Sequence, residues 1–380
     1  MKHTLRNLFF STMIMGILVA QGAGAQGTRL GDIELPRGFG IEVYARDIPT
    51  ARGMDFAPDG TLFVGSKNGG VYAVAPGGGQ VGQVGQVRQI AQGLAMPVGL
   101  DFHEGDLYVS AISRILVYRN VLEKLGRSGS GGEPEVVSGR FPGDRAHGWK
   151  FIKFGPDGKL YVPVGAPCNV CDPDDPVYST ITRMNPDGTN FEIVAAGVRN
   201  TVGFDWDPWT GDLWFTDNGR DRMGDNVPPD ELNRLEGIGT HYGFPYLHGR
   251  NVRDPQFWGR RPKATSFVPP QVELPAHVAA LGMRFYDGDS FPKEYHGDIF
   301  IAEHGSWNRS KKIGYRISRV RIDRRGTEPE VREYSIFAEG WLQGERAWGR
   351  PADVEVGPDG ALYVSDDVAD VVYRIFYRGE

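Results

Sequence analysis

The chain has 380 residues, a formal net charge of −6 and a hydrophobic fraction of 40%. This is enough apolar material for a large core, and it excludes disorder of the whole chain. The 53 glycines and 26 prolines are typical of many short strands and tight turns rather than of a helical bundle, and the acidic balance argues against a nucleic-acid-binding protein.

The N-terminal segment has the pattern of a secretory signal peptide. Two basic residues precede a mostly apolar run at residues 8–20, and the small residues 23–25 offer a cleavage site. The run is short for a membrane anchor, and no later stretch is long and apolar enough to cross a bilayer. We therefore expect removal of residues 1–25 and export of residues 26–380, to the periplasm if the source is Gram-negative.

A hairpin pattern recurs along the rest of the chain. Each copy has an alternating apolar run, a turn containing Gly and a second apolar run, which is typical of a β-hairpin. The six copies are residues 53–66, 99–111, 151–165, 203–217, 282–304 and 353–367. Further strand-like runs follow most copies, which gives the four-stranded unit of a propeller blade.

This repeat predicts an all-β fold, a six-bladed β-propeller of four-stranded antiparallel sheets that forms a single domain over residues 26–380. A two-sheet sandwich is the alternative, although a sandwich does not require equivalent hairpins. Residues 240–276 interrupt the pattern as a long insertion, which either shapes the mouth of a site or packs as an excursion at the rim.

Cys168 and Cys171, the two cysteines of the sequence, form a CxxC motif. In an oxidising compartment the simplest interpretation is a local structural disulfide, and a redox-active pair is the alternative. A zinc site would need further nearby ligands, and c-type haem attachment would need His in place of Asp172.

Superposing the six hairpins brings polar residues into two neighbouring positions, six and seven residues before the apolar residue that precedes each turn. These positions hold His147, Arg199, Asn200 and Arg350. In a propeller they lead into the innermost strands, so their side chains are expected to converge at one mouth of the central channel. Two arginines in one pocket favour an anionic ligand or a developing oxyanion.

The second strand of each hairpin returns to the same face. Its last residues include Asn218 and Gly219 in one copy and His304 in another. Such polar groups are costly to bury unless they meet a ligand, an ion or each other, so this face is the predicted site. Oxygen atoms that suit calcium are also available at Asp217, Asn218, Asp230 and Glu231.

Taken together, these motifs resemble the soluble aldose dehydrogenases that depend on pyrroloquinoline quinone (PQQ), particularly the sorbosone dehydrogenase branch. The matching segments are HGWKFIKFGPDGKLYV from His147, GVRNTVGFDW from Gly197, FTDNGRDRMGDN with PDELN from Phe215, AEHGSWNRS from Ala302 and GRPADVEVGPDGALYVSDD from Gly349. The resemblance implies a six-bladed propeller with PQQ over the channel mouth and a calcium ion beneath it.

The resemblance also implies roles for individual residues. His147 matches the family's catalytic base, and Arg199 and Asn200 match the pair that contacts the quinone oxygens, with Arg199 also polarising the quinone. Gly219 and Arg220 match the positions whose backbone carbonyls bind calcium.

Further cofactor contacts are implied for Arg350, Asn218 and His304. This chain has His304 near the position where the glucose-oxidising relatives place a cofactor-binding lysine, and it has Arg350-Pro351-Ala352 where they carry Arg-x-Arg.

The implied activity is oxidation of an aldose or a sugar aldehyde such as sorbosone, with hydride transfer to the quinone and delivery of electrons to an external cytochrome or quinone. The sequence contains no Gly-rich βαβ unit of the kind that binds NAD or FAD, so these cofactors are not expected. The alternatives are a calcium-dependent lactonase or esterase on a six-bladed propeller, and a non-catalytic propeller that binds a partner or glycan.

Overall fold

Six sheets, each built on four antiparallel strands in meander order and one extended by a fifth strand, form the described part of the molecule and confirm the six-bladed propeller expected from the repeat. The structure, a computed structural model, describes residues 28–76, 84–326 and 328–379. The expected signal peptide at residues 1–25 lies outside these residues. Within the described ranges, no helix is long and apolar enough to cross a membrane.

The blades are numbered in chain order and given from the innermost strand outward. Blade 1 contains Ala51–Phe56, Leu62–Ser66, Val71–Val74 and Val87–Ala91, and blade 2 contains Leu100–His103, Asp106–Ala111, Arg114–Tyr118 and Glu135–Ser138. Blade 3 contains Lys153–Phe154, Leu160–Val164, Thr180–Met184 and Glu192–Ala196, and blade 4 contains Phe204–Trp206, Leu213–Asp217, Asp230–Arg234 and Val272–Leu274. Blade 5 contains Ala280–Phe285, Ile299–Glu303, Arg316–Asp323 and Glu330–Ala338. Blade 6 contains Pro351–Val356, Leu362–Asp366, Val371–Tyr377 and, from the start of the described chain, Phe39–Ala45.

Short elements decorate the blades. They are the α-helix Val121–Ser128, the 3-10 helices Leu30–Asp32, Trp258–Arg260 and Lys293–Tyr295, and the hairpins Leu247–His248 with Val252–Arg253 and Leu342–Gln343 with Arg346–Ala347. The insertion also supplies Thr240–His241, which adds a fifth, parallel strand to the outer edge of blade 3. The segment is therefore packed structure along the rim of blades 3 and 4, and its last part is no insertion, because Val272–Leu274 is the outer strand of blade 4.

The Pro-Asp-Gly turns hold the hairpins in a common way. In blade 1 the Asp59 carboxylate accepts a hydrogen bond of 2.9 Å from the backbone N–H of Thr61. Asp157 in blade 3 and Asp359 in blade 6 accept the corresponding bond from the residue two positions later. This side-chain bond is the usual reason for Asp in such turns. Each turn follows an inner strand that starts at the predicted site, so the turns lie at the opposite face.

The hydrophobic core lies between neighbouring blades rather than in one central mass. Buried clusters join Phe63 of blade 1 to Leu107 of blade 2, and Tyr108 of blade 2 to Leu160 of blade 3. The second strands Leu62–Ser66 and Leu160–Val164 are buried at every residue. Because both of their faces meet a neighbouring blade, these strands can be apolar throughout.

The innermost strands crowd around the axis. First strands of adjacent blades contact each other, and glycine occupies the equivalent position in four blades: Gly53, Gly99, Gly203 and Gly282. A Cβ added at Gly99 would collide with the Lys150 carbonyl, and one at Gly203 would collide with the Leu281 carbonyl. This packing brings the segments that precede the inner strands to one mouth of the channel.

Candidate active site

A cavity of about 420 Å³ opens where these segments meet. Its volume lies within the range of about 300–1,000 Å³ found for small-molecule sites. The cavity lining includes seven of the eight residues predicted from the sequence: His147, Arg199, Asn200, Asn218, Gly219, His304 and Arg350. These seven residues come from four different blades or their leading segments and converge on one space.

His147 has a fixed ring orientation. Its Nδ1 lies 2.8 Å from the carbonyl oxygen of Ala166, and a carbonyl can only accept, so Nδ1 carries the proton. In the neutral ring Nε2 then keeps its lone pair. Burial, together with the nearby Arg199 charge, lowers the pKa of His147 to about 4, so the imidazole is neutral at ordinary pH and can accept a proton at Nε2.

Arg199 is buried and held by main-chain and side-chain oxygens. Its Nε donates to the Asn169 carbonyl at 2.9 Å, and its Nη1 donates to the Asn218 carbonyl at 3.0 Å. Its Nη2 donates to Asn169 Oδ1 at 3.1 Å and lies 3.5 Å from Asp221 Oδ2. Burial lowers the pKa of Arg199, but an arginine stays protonated at ordinary pH, so it is a fixed positive charge beside the cavity.

The carboxylates expected from the sequence as calcium ligands serve instead to fix the backbone. Asp217 accepts from the N–H groups of Arg199 at 2.8 Å and Asn200 at 2.6 Å. Asp230 accepts from Gly219 and Ala279. No group of three or more His, Cys, Asp or Glu side chains in the described residues is arranged to hold a metal.

Glu231 and Asn218 are engaged in a similar way. Glu231 accepts from the backbone of Gly249 at 2.6 Å and from Asn233. The Asn218 Nδ2 donates to the Ala280 carbonyl at 2.7 Å and to the Asn200 carbonyl at 3.2 Å. These side chains thus shape the loop that carries Gly219.

Arg220 does not line the cavity. Its Nη1 forms an ion pair of 2.6 Å with the buried Asp254 of the insertion, which also contacts His248 at 3.1 Å. The insertion at residues 240–276 contributes no lining residue and packs behind Arg220. A packed excursion describes it better than a wall of the site.

On the opposite side of the cavity Arg350 and His304 are joined through the backbone. Arg350 donates from Nε to the His304 carbonyl at 3.0 Å and from Nη2 to the Gly305 carbonyl at 2.9 Å. His304 Nε2 is 2.8 Å from Asp367, which pairs with Arg52 at 2.6 Å. Burial and then Arg52 lower the pKa of His304 to about 3, so this imidazole is also neutral.

Sequence analysis missed Arg52 and Trp149, and it gave no role to Lys67. All three line the cavity. The guanidinium of Arg52 and the ammonium of Lys67 both lie over the Trp149 ring, at 5.7 and 5.6 Å from its centroid. Arg52 lies only four residues before Phe56, inside the first strand, and nothing in the hairpin pattern distinguishes that position from a core residue.

Several buried polar atoms of the lining have no hydrogen-bond partner within the described residues. They are Nε of Arg52, Nε1 of Trp149 and Oδ1 of Asn308. Buried polar atoms are usually satisfied, and an exception is a reason to look for a ligand or water. With Arg52, Lys67, Arg199 and Arg350 around it, the cavity suits a polyanionic ligand that accepts hydrogen bonds.

The predicted disulfide between Cys168 and Cys171 is present and closes a four-residue ring directly beside Arg199. Asn169, which sequence analysis did not single out, lies inside this ring.

Comparison with known proteins gives one family and several relatives. The sequence model described as glucose/sorbosone dehydrogenase matches residues 48–374. An uncharacterized protein from Borreliella burgdorferi is 35% identical over 387 positions, covering 100% of both chains.

Among solved structures, the calcium structure of a carbohydrate-active enzyme from Trichoderma reesei has a TM-score of 0.76 at 16% identity, covering 93% of this chain and 99% of that one. The holo PQQ domain of pyranose dehydrogenase from Coprinopsis cinerea has a TM-score of 0.75 at 18% identity, covering 90% and 97%. At these identities the likeness shows a common fold.

Proposed function

Because the matching family model covers most of its length, the chain belongs to the glucose/sorbosone dehydrogenase family, and we propose that it uses PQQ and calcium to oxidise an aldose or a sugar aldehyde such as sorbosone. Family membership makes it an oxidoreductase of the sugar dehydrogenase class. The observation that supports the finer proposal is the convergence of several cationic side chains, among them Arg199 and Arg350, with the neutral imidazoles of His147 and His304 on one cavity.

The lining fits PQQ by charge and by hydrogen-bond chemistry. PQQ carries three carboxylates, and Arg52, Arg199 and Arg350 present guanidinium groups to the cavity, with Lys67 beside them. Arg52 Nε and Trp149 Nε1 are buried donors without partners in the described residues, as expected where an acceptor-rich ligand completes the site. The PQQ domain of the fungal pyranose dehydrogenase shares the fold, which supports the same cofactor here.

When bound, PQQ would supply the two-electron acceptor for the hydride that leaves the sugar carbon. His147 acts as general base and takes the hydroxyl proton at Nε2, since Nδ1 is already bonded to Ala166. Arg199 stabilises negative charge that develops in the site. Arg350 and His304 orient the cofactor together with Asn200, whose side-chain amide makes no hydrogen bond within the described residues.

Calcium is proposed to bind at the backbone carbonyls of Gly219 and Arg220. No hydrogen bond among the described residues ends on either of these oxygen atoms, and calcium takes oxygen ligands, including main-chain carbonyls. Asn218 retains only its Oδ1 for the cofactor, because Nδ2 already bonds two carbonyls. The calcium structure of the Trichoderma enzyme with the same fold supports this proposal.

The sugar is proposed to enter past Trp307, a lining residue that is 67% exposed. An aromatic face at the mouth provides an apolar surface for the C–H side of a pyranose, while the charged groups lie deeper. A calcium-dependent lactonase or a non-catalytic propeller would leave the converging cations and the free Nε2 of His147 without a use. The protein is further proposed to be exported as one domain and to pass electrons to an external cytochrome or quinone.

A titration tests the proposal. Protein treated with a chelator should bind PQQ only after calcium is restored, which is measured as a shift of the quinone absorbance band. Addition of an aldose without an electron acceptor should bleach that band within seconds of mixing, because the sugar reduces the cofactor. Absence of binding at micromolar PQQ with calcium present would reject the cofactor assignment.

Arg350→Ala provides the matching variant. It removes one guanidinium from the lining and should weaken PQQ binding by about tenfold or more while changing calcium affinity less. Arg261→Ala, which removes an exposed arginine of the insertion, should leave both affinities unchanged. Equal affinities in the two variants would remove Arg350 from the cofactor site.

A further inference from the structure

The loop of residues 165–179, which contains the disulfide, contacts both side chains that are proposed to act on the substrate and cofactor. Ala166, two residues before the Cys168–Cys171 ring, accepts from His147 Nδ1 at 2.8 Å and donates its own N–H to the Arg199 carbonyl at 2.8 Å. Three residues later, Asn169 accepts from Arg199 twice, through its carbonyl at 2.9 Å and its Oδ1 at 3.1 Å. One short loop therefore supplies the orienting contacts for both groups.

Asn169 is the central contact of this arrangement. Its Oδ1 also accepts from the backbone N–H of Asp221 at 2.8 Å, and its Nδ2 donates to the Asp221 carbonyl at 3.1 Å. Asp221 in turn accepts from Asn308 at 3.0 Å. The amide of Asn169 thus links the disulfide loop to the loops of blades 4 and 5, and all of its polar atoms are engaged.

Little else fixes the part of this loop around Asn169. Residues 165–179 contain no strand or helix. The loop is also tied down by the bonds of Tyr246 to Asp172 at 2.8 Å and of Tyr178 to Asp144, by packing of Val177 and Tyr178 on a core cluster, and by local hydrogen bonds of residues 175–180. All of these contacts involve the part of the loop that follows the ring. Around Asn169 itself the covalent link between Cys168 and Cys171 adds to the hydrogen bonds of Asn169 a constraint that removes alternative backbone conformations.

We propose that Asn169, held within the Cys168–Cys171 ring, is a positioning residue for Arg199, and that the site binds its cofactor more tightly while the ring is oxidised. The relevance to catalysis rests on the function proposed above, in which Arg199 faces the cofactor. The positioning itself concerns contacts within this chain and can be measured without any cofactor.

Opening the ring is a simple two-electron reaction. A dithiol such as dithiothreitol attacks the S–S bond, which breaks to give the two thiols of Cys168 and Cys171, while the dithiol is oxidised to its cyclic disulfide. Electrons and protons balance between the two partners. The reaction leaves the Asn169 side chain unchanged, so any effect on Arg199 comes through the loop.

The test measures hydrogen exchange of the Arg199 Nε–H by NMR in protein without PQQ, with the resonance assigned from Arg199→Lys. In the oxidised wild type this proton is bonded to the Asn169 carbonyl, so its exchange should be slow. Reduction with dithiothreitol, or the double variant Cys168→Ser/Cys171→Ser, should raise its exchange rate by about tenfold or more, and reoxidation of the wild type should restore it.

Variants at Asn169 separate the side chain from the ring. Asn169→Ala should also raise the exchange rate of the Nε–H, because loss of Oδ1 frees Arg199 Nη2 and unties the Asn169 backbone, whose carbonyl is the Nε acceptor, from Asp221. Asn169→Asp should restore slow exchange, because Asp keeps an acceptor at the Oδ1 position. Val170→Ala, a change within the same ring at a residue without a bond to Arg199, is the matched control and should match the wild type. PQQ affinity should fall about tenfold in Asn169→Ala and in the double cysteine variant.

Unchanged Arg199 exchange after reduction would overturn the proposal even if the cysteine variants fail to fold, since reduction is applied to folded wild-type protein. Unchanged exchange in Asn169→Ala would equally reject Asn169 as the positioning residue. If the wild type binds no PQQ but its Arg199 exchange responds to reduction, the proposed function fails while the positioning role stands.

Discussion

At the scale of single residues, His147 combines a strained backbone conformation with an imidazole ring whose Nδ1 is hydrogen-bonded to Ala166. Its φ of 47° lies in the left-handed region, and Thr50, Met96 and Ala279 show positive φ at nearly the same point of their own blades. Such conformations cost of order 1–3 kcal/mol for a residue with a side chain. The strain is therefore a feature of the segment leading into the inner strand, and it turns the ring of His147 toward Ala166.

The state of this imidazole leads to a prediction about pH. A base must be neutral, and the pKa of His147 is lowered to about 4 by burial and by Arg199. As pH falls through that pKa the ring gains a proton and loses its role, so activity should persist well below the ordinary histidine pKa of about 6.5. His147→Gln should reduce turnover by about 100-fold or more and remove this acid limb.

Cofactor affinity is the control for that experiment. PQQ should bind His147→Gln about as well as the wild type, because the proposed anchors are the arginines. The measurements are kcat/KM from pH 3.5 to 8 and a PQQ titration of each protein. A variant with full turnover would exclude His147 as the base, and an acid limb at pH 6.5 in the wild type would contradict its lowered pKa.

At the scale of elements, the inner strands of neighbouring blades pack so closely that some positions have no room for a side chain. Gly99 faces the backbone of blade 3, and a methyl group there would collide with the Lys150 carbonyl. Gly99→Ala should therefore lower the free energy of unfolding by about 1–3 kcal/mol, as overpacking usually does. Chemical denaturation monitored by fluorescence measures this change.

Gly126→Ala gives the contrast for Gly99→Ala. Gly126 is exposed in the helix Val121–Ser128, and an added Cβ meets no atom within 4 Å. Alanine there should raise the free energy of unfolding by about 0.5–1 kcal/mol through helix propensity. Effects of the same sign in both variants would mean that the inner strands relax around the added methyl group.

The elements also explain how far the sequence could predict the site. The hairpins repeat in the sequence, and this repeat predicts the six blades. Superposing the copies also predicts that one channel mouth holds His147, Arg199, Asn200 and Arg350. Arg52 and Asn169 could not be found in this way. Their importance comes from contacts between loops of different blades, and a pattern within one blade contains no information about its neighbours' loops.

The carboxylates show that a sequence pattern can also assign a role that the fold does not use. Asp217 has oxygen atoms suited to calcium, but two backbone N–H groups from the segment before blade 4 already occupy them. Burial raises the pKa of Asp217 to about 7. Only the fold decides whether a carboxylate meets an ion or an N–H group, because both partners satisfy the same lone pairs.

At the scale of the whole molecule, both ends of the described chain close the ring. Phe39–Ala45 pairs with Val371–Tyr377 as the outer strand of blade 6, and Glu42 pairs with Arg374 at 2.9 Å. The six sheets thereby form a closed circle, and each hydrophobic cluster between blades is covered by a blade on both sides. Since the site draws residues from blades that are far apart in sequence, its geometry depends on this closure.

Phe39 is the residue through which closure can be tested. Its ring meets Phe291, Tyr295 and Phe337 of blade 5 at centroid distances of 4.7–5.2 Å, so it joins the closing strand to a neighbouring blade. Phe39→Ala should lower the free energy of unfolding by about 3 kcal/mol and keep a single transition by fluorescence and near-ultraviolet circular dichroism. Val136→Ala, at an exposed residue of an outer strand that does not close the ring, should change it by less than about 0.5 kcal/mol. Equal losses in the two variants would show that the closing strand contributes no more than any outer strand, and that the circle is held by the inner blades alone.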